Sequence, residues 1–121
     1  VAVDSGWELH VGGNGGVKVR ATDFLCKVEN DEDVMEYCGA FMQLYREEAR
    51  YLERTAPWIE RVGLPYVKQR VVEDREGRKD LHQRFLESQR IAQRDPWAER
   101  AQGAHSSEFA AMRMDRTEKV A

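Results

Sequence analysis

The sequence predicts an α+β fold in which an N-terminal β-hairpin or small sheet precedes a bundle of about four helices and a flexible tail. Near the N-terminus apolar and polar residues alternate, and four glycines interrupt the alternation. From residue 30 onward apolar residues recur at spacings of three and four. We therefore divide the chain into the hairpin at 1–29, the helical region at 30–101 and the tail at 102–121.

Two stretches near the N-terminus have the period of two that is typical of half-buried strands. They cover residues 7–11 and 17–20, where Trp, Leu and Val alternate with polar or charged side chains. The apolar run at 24–28 predicts either a further strand or an extended arm. Because two strands alone are marginally stable in water, the hairpin requires a third strand or a partner surface.

The segment "GGNGG" lies between the two strand patterns, and we expect it to form the hairpin turn. All four glycines can adopt positive φ, and asparagine tolerates that conformation better than most residues. The segment consists of Gly12, Gly13, Asn14, Gly15 and Gly16. It is either a plain turn or a place where the backbone approaches a bulky anionic ligand. It matches neither a P-loop nor a dinucleotide fingerprint, because Lys18 lies between two valines and the glycines precede a strand.

A long amphipathic helix is predicted over residues 31–54, with Asn30 or Asp31 as its N-cap. Thr55 and Pro57 mark the start of a second helix that Gly63 ends. Pro65 begins a short third helix, the polar "EDREG" is a connection, and a fourth helix is predicted over 78–93. Asp95 and Pro96 predict one more helical turn. Helical spacing also favours core positions for five aromatic residues: Tyr37, Phe41, Tyr45, Tyr51 and Trp58.

The candidate binding residues are Lys18 and Arg20, which with His10 could bind carboxylates beside the glycine turn. Solvated strand positions explain these three residues almost as well. No nucleophile motif is present, and no catalytic role is expected for His82 or His105. The two cysteines lack zinc-ligand spacing and are expected to be buried, reduced thiols.

Charge and hydropathy exclude two classes of partner. The net charge of −3 and the interleaved charges provide no basic face for nucleic acid. No apolar run approaches the ~20 residues that span a bilayer, and no signal peptide is apparent. We therefore expect a cytoplasmic protein that binds neither nucleic acid nor membrane, and we expect the sequence to be a segment of a longer chain.

Two segments carry a family resemblance, "GWELHVGGNGGVKVRATDFLCKV" and "YCGAFMQLYREEARYLERTAPWIERVGLPYVKQRVVED". They resemble the C-terminal end of the large subunits of NAD(P)H-dependent assimilatory nitrite reductases, within the sirohaem nitrite and sulfite reductase family. The resemblance runs from about Val1 to about Arg100. The segment Arg-Thr-Ala-Pro-Trp at 54–58 is more particular to the nitrite enzymes.

The resemblance implies a parent enzyme that reduces nitrite to ammonium with six electrons. These pass from NAD(P)H through FAD and iron–sulfur centres to a sirohaem bridged to a 4Fe–4S cluster. The cluster ligands of the family are two pairs of cysteines that precede the Gly-Gly-Asn segment, and Cys26 and Cys38 match neither pair. It follows from the resemblance that this chain alone is structural, inactive and free of cofactor.

In the parent enzyme, the resemblance places Gly12 to Gly16 near the sirohaem, where missing Cβ atoms permit close approach. Lys18 and Arg20 would then assist electrostatically rather than act as catalysts. The expected partners are the rest of the large subunit and the small subunit. An alternative is a non-catalytic helical interaction module that docks the small subunit or pairs with a second copy of itself.

Overall fold

A computed structural model describes residues 1–102, and it confirms the predicted α+β fold class. A small sheet is followed by helices in this order: β1 (Ala2–Val3), β2 (Gly6–Val11), β3 (Asp23–Val28), α1 (Asp31–Glu48), α2 (Thr55–Val62), α3 (Leu64–Lys68), a π-helical segment (Gln69–Glu73), α4 (Arg75–Ala92) and α5 (Pro96–Ala101). The predicted tail lies, except for Gln102, outside the described residues.

The sheet is antiparallel with the strand order β1-β2-β3. β1 supplies the third strand that the hairpin requires, because Ala2 lies opposite Trp7 and Val3 lies opposite Gly6. This strand has only two residues, so it covers less than half of β2.

The predicted strand at 17–20 is wrong, and β3 is the hairpin partner of β2 instead. Val17 and Val19 are 110% and 79% exposed. An alternating pattern favours a strand because its apolar side chains can pack against a core. The valines of this segment pack against no core residue, so the pattern does not produce a strand here. In contrast, Leu25 and Val28 of β3 are buried in the core. A β-bulge places Leu9 opposite Cys26 and His10 opposite Phe24.

Helix α1 begins as predicted, because the side chain of Asn30 accepts a hydrogen bond of 2.9 Å from the Asp33 N–H. It ends at Glu48 rather than near residue 54. Leu52 adopts a left-handed φ of 63°, which a helix cannot continue through. Tyr51 and Leu52 are 92% and 84% exposed, so the predicted core position of Tyr51 is wrong.

The later helices follow the sequence signals closely. Gly63, with a φ of 88°, ends α2 as predicted, and Pro65 lies in the first turn of α3. The predicted connection "EDREG" is wrong, because only Asp74 separates the π-helical segment from α4. The Asp74 side chain accepts a hydrogen bond from the Gly77 N–H and so allows α4 to begin at Arg75. The Asp95 side chain caps α5 as predicted.

One core joins the sheet to the helices within residues 1–87, which form a compact unit. Trp58 is fully buried, and its ring meets Phe41 and Tyr45 edge to face at centroid distances of 5.9 and 5.7 Å. The other buried apolar residues of this core are Leu9, Leu25, Cys26, Val28, Ala40, Leu44, Ile59, Val67, Val71 and Leu81. The described residues from Ser88 to Gln102 belong to a second unit. No helix among residues 1–102 is long and apolar enough to cross a membrane.

Candidate functional site

The glycine loop, residues 12–22, connects β2 to β3 and contains the predicted site residues other than His10. Asn14 and Arg20 close it with a pair of backbone hydrogen bonds of 3.0 and 2.9 Å. The Asn14 amide also donates to the Lys18 carbonyl at 2.7 Å, and its Oδ1 accepts from the Gly16 N–H at 3.4 Å. Asn14 therefore holds the loop tip, residues 15–19, through its side chain and not through a positive φ.

Arg20 fastens both ends of the loop to helix α2. Its Nη1 donates to the Gly12 carbonyl at 2.9 Å, and its Nη2 donates to the Asp23 carboxylate at 2.7 Å. Its Nε donates to Glu60 at 3.0 Å. The hydrogen bond with Asp23 is the main cause of a raised pKa of the guanidinium. These hydrogen bonds within the protein are sufficient to account for an arginine at position 20, without any bound ligand.

Lys18 has far weaker ties to the protein than Arg20. Its side chain is 83% exposed, and its Nζ lies 3.9 Å from the Glu60 carboxylate. Such a solvated ion pair contributes little to stability. Lys18 is therefore the predicted cation that remains free to turn toward an anionic ligand.

The loop glycines fall into two kinds. A Cβ on Gly12 would lie 2.8 Å from the Ile59 Cδ1, and one on Gly13 would lie 2.7 Å from the Thr22 Cγ2. A Cβ on Gly15 would meet nothing within 4 Å, and one on Gly16 would contact only the Asn14 Oδ1 at 3.5 Å. Close packing within the chain therefore explains why glycine is required at positions 12 and 13. It gives no such reason for glycine at positions 15 and 16.

Only Gly12 of the four loop glycines has a positive φ, at 77°. The freedom of all four glycines to adopt positive φ is therefore used at Gly12 alone. A tight two-residue turn demands left-handed residues, whereas this loop is longer and is held by the side chains of Asn14 and Arg20.

His10 lies on β2 beside the base of the loop. Its Nε2 is 3.3 Å from the Glu8 carboxylate, and its Nδ1 is 3.3 Å from the Thr22 hydroxyl. Its ring also meets Phe24 edge to face. Both ring nitrogens therefore have protein partners, one on β2 and one in the glycine loop. His10 thus connects the strand to the loop.

The two cysteines differ in burial. Cys26 is buried as predicted, and burial raises the pKa of its thiol to about 11. Cys38 is exposed, so its predicted burial is wrong. Residues 1–102 contain no group of three or more His, Cys, Asp or Glu side chains that could hold a metal ion. Because a 4Fe–4S cluster takes four thiolates and the whole chain has two cysteines, its residues do not fit such a cluster.

Sequence reasoning missed a buried arginine at the start of α4. The Arg78 Nη1 donates to the carbonyls of Val71 and Val72 at 3.1 and 2.9 Å. Its Nε donates to Glu36 at 3.3 Å, and its guanidinium lies 4.1 Å from the centre of the Tyr37 ring. Arg78 therefore satisfies the carbonyls that the π-helical segment leaves open. The available signal was its position three residues before Leu81, on the apolar face of α4.

A second arginine holds the turn between α1 and α2, residues 49–54. Arg61 donates to both carboxylate oxygens of Glu53, at 2.9 and 2.8 Å, and the Arg50 N–H donates to the same group. These hydrogen bonds, led by those of Arg61, lower the pKa of Glu53 to about 2. The turn therefore depends on an ionised Glu53.

Comparison with protein families shows the class to which these features belong. Residues 1–80 match the family described as the nitrite and sulphite reductase 4Fe-4S domain. The match covers the sheet, the glycine loop and the helices through the start of α4. The chain therefore belongs to the nitrite and sulphite reductase 4Fe-4S domain family.

Within this family the chain is similar to nitrite reductases that use NAD(P)H. It is 54% identical over 97 residues to the NAD(P)H nitrite reductase of Bacillus subtilis, which is 80% of this chain and 12% of that protein. It is 39% identical over 79 residues to the NADH nitrite reductase large subunit of Escherichia coli, covering 64% of this chain and 9% of that protein. The chain thus spans about a tenth of the length of these relatives. No solved structure has significant similarity to it.

An assimilatory-type sulfite reductase of Nitratidesulfovibrio vulgaris is also similar, at 29% identity over 72 residues, which is 60% of this chain and 33% of that protein. The two kinds of relative differ in the substrate that their names give. The higher identity to the nitrite reductases confirms the resemblance on which the sequence analysis relied.

Proposed function

We propose that this chain is the C-terminal part of the large subunit of an NAD(P)H nitrite reductase, which reduces nitrite to ammonium. The 54% identity over 97 residues to the Bacillus subtilis enzyme carries this proposal. We further propose residues 1–29 as the end of the catalytic domain, 30–101 as the helical region and 102–121 as a tail. A cytoplasmic location stays a prediction.

The proposed parent enzyme uses sirohaem, a 4Fe–4S cluster, FAD and NAD(P)H, and these groups supply the electron transfer when they are bound. The chain has two cysteines, and Cys26 is buried with a high thiol pKa. Thiolates for a cluster must therefore come from another part of the enzyme. For this reason we propose that the isolated chain is a structural segment without activity.

The glycine loop is the part of this segment that we propose to lie near the sirohaem. Gly15 and Gly16 leave open space at the loop tip, and Lys18 carries an exposed charge that suits the carboxylates of the macrocycle. The base of the loop would hold this tip in place through its hydrogen bonds and close packing, which involve Gly12, Gly13, Asn14 and Arg20. The role of the loop is thus to present backbone and one cation, and the redox chemistry belongs to the cofactor.

A specific observation favours a second role, in docking. Val17 and Val19 are almost fully exposed although apolar, and they flank Lys18 at the loop tip. A partner surface would remove them from water. The candidates are the rest of the large subunit, the small subunit or a second copy of this chain.

A chimaeric enzyme tests the proposed function. The 97 matching residues of the Bacillus subtilis nitrite reductase are replaced by their counterparts from this chain. We expect the chimaera to bind sirohaem and to reduce nitrite with NAD(P)H. A chimaera with Trp58→Ala, which removes the buried centre of the core, serves as the destabilised control. A well-folded chimaera that retains its flavin but neither binds sirohaem nor reduces nitrite would contradict the proposal.

The isolated chain provides the complementary test. We expect it to be colourless after expression with an ample sirohaem supply, and to show no nitrite reduction with reduced methyl viologen. Sirohaem that copurifies in stoichiometric amount would contradict the structural role. For the docking role, light scattering is the measurement, and a strict monomer that ignores the small subunit would leave only the rest of the large subunit as partner.

A further inference from the structure

The outer edge of β2 is only partly covered by β1. Glu8 and Val1 exchange both backbone hydrogen bonds, with the Glu8 N–H donating at 2.8 Å and the Val1 amino group donating at 2.7 Å. Backbone groups alternate in direction along a strand, so the N–H and C=O of His10 point to the same side as those of Glu8. No described strand residue lies opposite His10 on that side.

An apolar cleft of about 510 Å³ lies beside this open edge. Its walls come from β2 and α1 and include Leu9, Val11, Phe41 and Met42, together with the exposed Cys38. Met42 is 41% exposed, and Met35 on the same helix is 62% exposed. The uncovered part of the strand and the uncovered apolar surface of α1 therefore adjoin each other.

From this geometry we infer that the β2 edge and its cleft are covered by an extended segment that continues β1 upstream of Val1 and pairs antiparallel with Leu9 to Val11. The inference rests on the proposed function only in that the chain is part of a longer polypeptide. Continuity with an existing strand selects this occupant, because β1 already has the direction and the register that the added residues would follow.

The register fixes the character of the added residues. Val1 opposite Glu8 places the residue directly before Val1 opposite Leu9, the second opposite His10 and the third opposite Val11. Residues that lie opposite each other in an antiparallel pair share a face of the sheet. The first and third residues before Val1 are therefore apolar and cover the cleft, and the second faces the opposite side.

Two matched N-terminal extensions of the 121-residue chain test this inference. One places Thr-Val-Thr-Val directly before Val1, so that valines occupy the first and third positions. The other places Val-Thr-Val-Thr there, which keeps the composition and exchanges the two faces. The unextended chain is the reference. The readouts are amide hydrogen exchange of His10 by NMR, the melting temperature and light scattering.

We expect the first extension to slow exchange of the His10 amide at least tenfold and to raise Tm by about 5 °C. The exchanged-face extension should give a clearly smaller rise. Met42→Lys should remove most of the difference between the two extensions, because it places a charge in the cleft.

Equal Tm values for the two extensions would overturn the inference, as would a His10 amide that exchanges as fast with the first extension as without it. A reference chain that is already dimeric with a protected His10 amide would also overturn it, because a second copy would then be the occupant. None of these readouts depends on nitrite reduction, so their failure is distinguishable from failure of the proposed function.

Discussion

The glycine loop and the junction between the π-helical segment and α4 are held by the same device, an arginine that donates to main-chain carbonyls and to a carboxylate. The two sites differ in burial. The side chain of Arg78 is 7% exposed, whereas that of Arg20 is 21% exposed. A hydrogen bond is costly to lose where water cannot replace the partner, so the same contacts should stabilise the junction more than the loop.

The two regions also differ in what lies beyond the arginine. Beside Arg78, the side chains of Val71 and Leu81 are almost completely buried. The loop tip, which directly precedes Arg20 in the sequence, exposes both of its valines to solvent. The junction therefore serves the fold, whereas the loop combines a structural base with a tip that is available to a partner.

The largest expected effect is at the junction. Arg78→Met should lower the free energy of unfolding by about 3 kcal/mol, because two carbonyls and Glu36 lose their buried partner. Urea unfolding is the measurement. The exposed Arg75, in the same turn of α4, supplies the control, and Arg75→Met should change stability by less than about 0.5 kcal/mol. Equal effects of the two substitutions would show that burial does not distinguish these arginines.

The next effect separates the base of the loop from its tip. Gly12→Ala should destabilise the chain by about 2 kcal/mol, because it places a Cβ at positive φ and against the Ile59 side chain. Gly15→Ala should stay within about 0.5 kcal/mol, since its Cβ would occupy open space. Thermal melts of the two variants provide the comparison, and a large loss at Gly15 would contradict the assignment of the tip.

Arg20→Met should destabilise the chain, but less than Arg78→Met does, because solvent reaches the Asp23 and Glu60 carboxylates that it leaves. Lys18→Met is the matched control and should leave the melting temperature almost unchanged. If Lys18→Met lowers the melting temperature more than Arg20→Met does, the hydrogen bonds of Arg20 do not hold the loop.

The smallest effect concerns the turn between α1 and α2, a third connection held by an arginine. The pKa of Glu53 falls from 4.5 to about 2 on folding, so its ionised form favours the folded state. Its contribution is complete above pH 4.5 and is lost as the pH falls through about 2. Urea unfolding of wild type and Glu53→Gln should therefore differ at pH 7 and converge in acid, and a difference that is independent of pH would contradict this.

The helical half was largely predictable because its signals are local. The Asn30 cap, Gly63 and the Asp95-Pro96 pair each act within one turn of the residues that they affect, and the structure confirms them. The end of α1 was not predictable, since the apolar spacing continues to Leu52 although the helix ends at Glu48 and Leu52 adopts a left-handed φ.

The loop was predicted less well because its conformation depends on distant partners. The contact of Arg20 with Glu60 joins residues 40 apart in sequence, and the bridge from Asn14 to Arg20 replaces the strand pairing that alternation suggested. For the same reason sequence could name the loop residues but could not sort Gly12 from Gly15. The positive φ of Gly12 and the close packing of Ile59 against it distinguish Gly12 from Gly15.

The most direct test of the account measures the loop tip in both contexts. Gly15→Val in the isolated chain should leave the melting temperature within about 2 °C of the unsubstituted value. The same substitution in the chimaeric nitrite reductase should strongly reduce bound sirohaem, as measured by its absorption spectrum, while the flavin content stays unchanged. A chimaera that retains its full sirohaem spectrum with valine at this position would contradict the claim that the tip faces the cofactor.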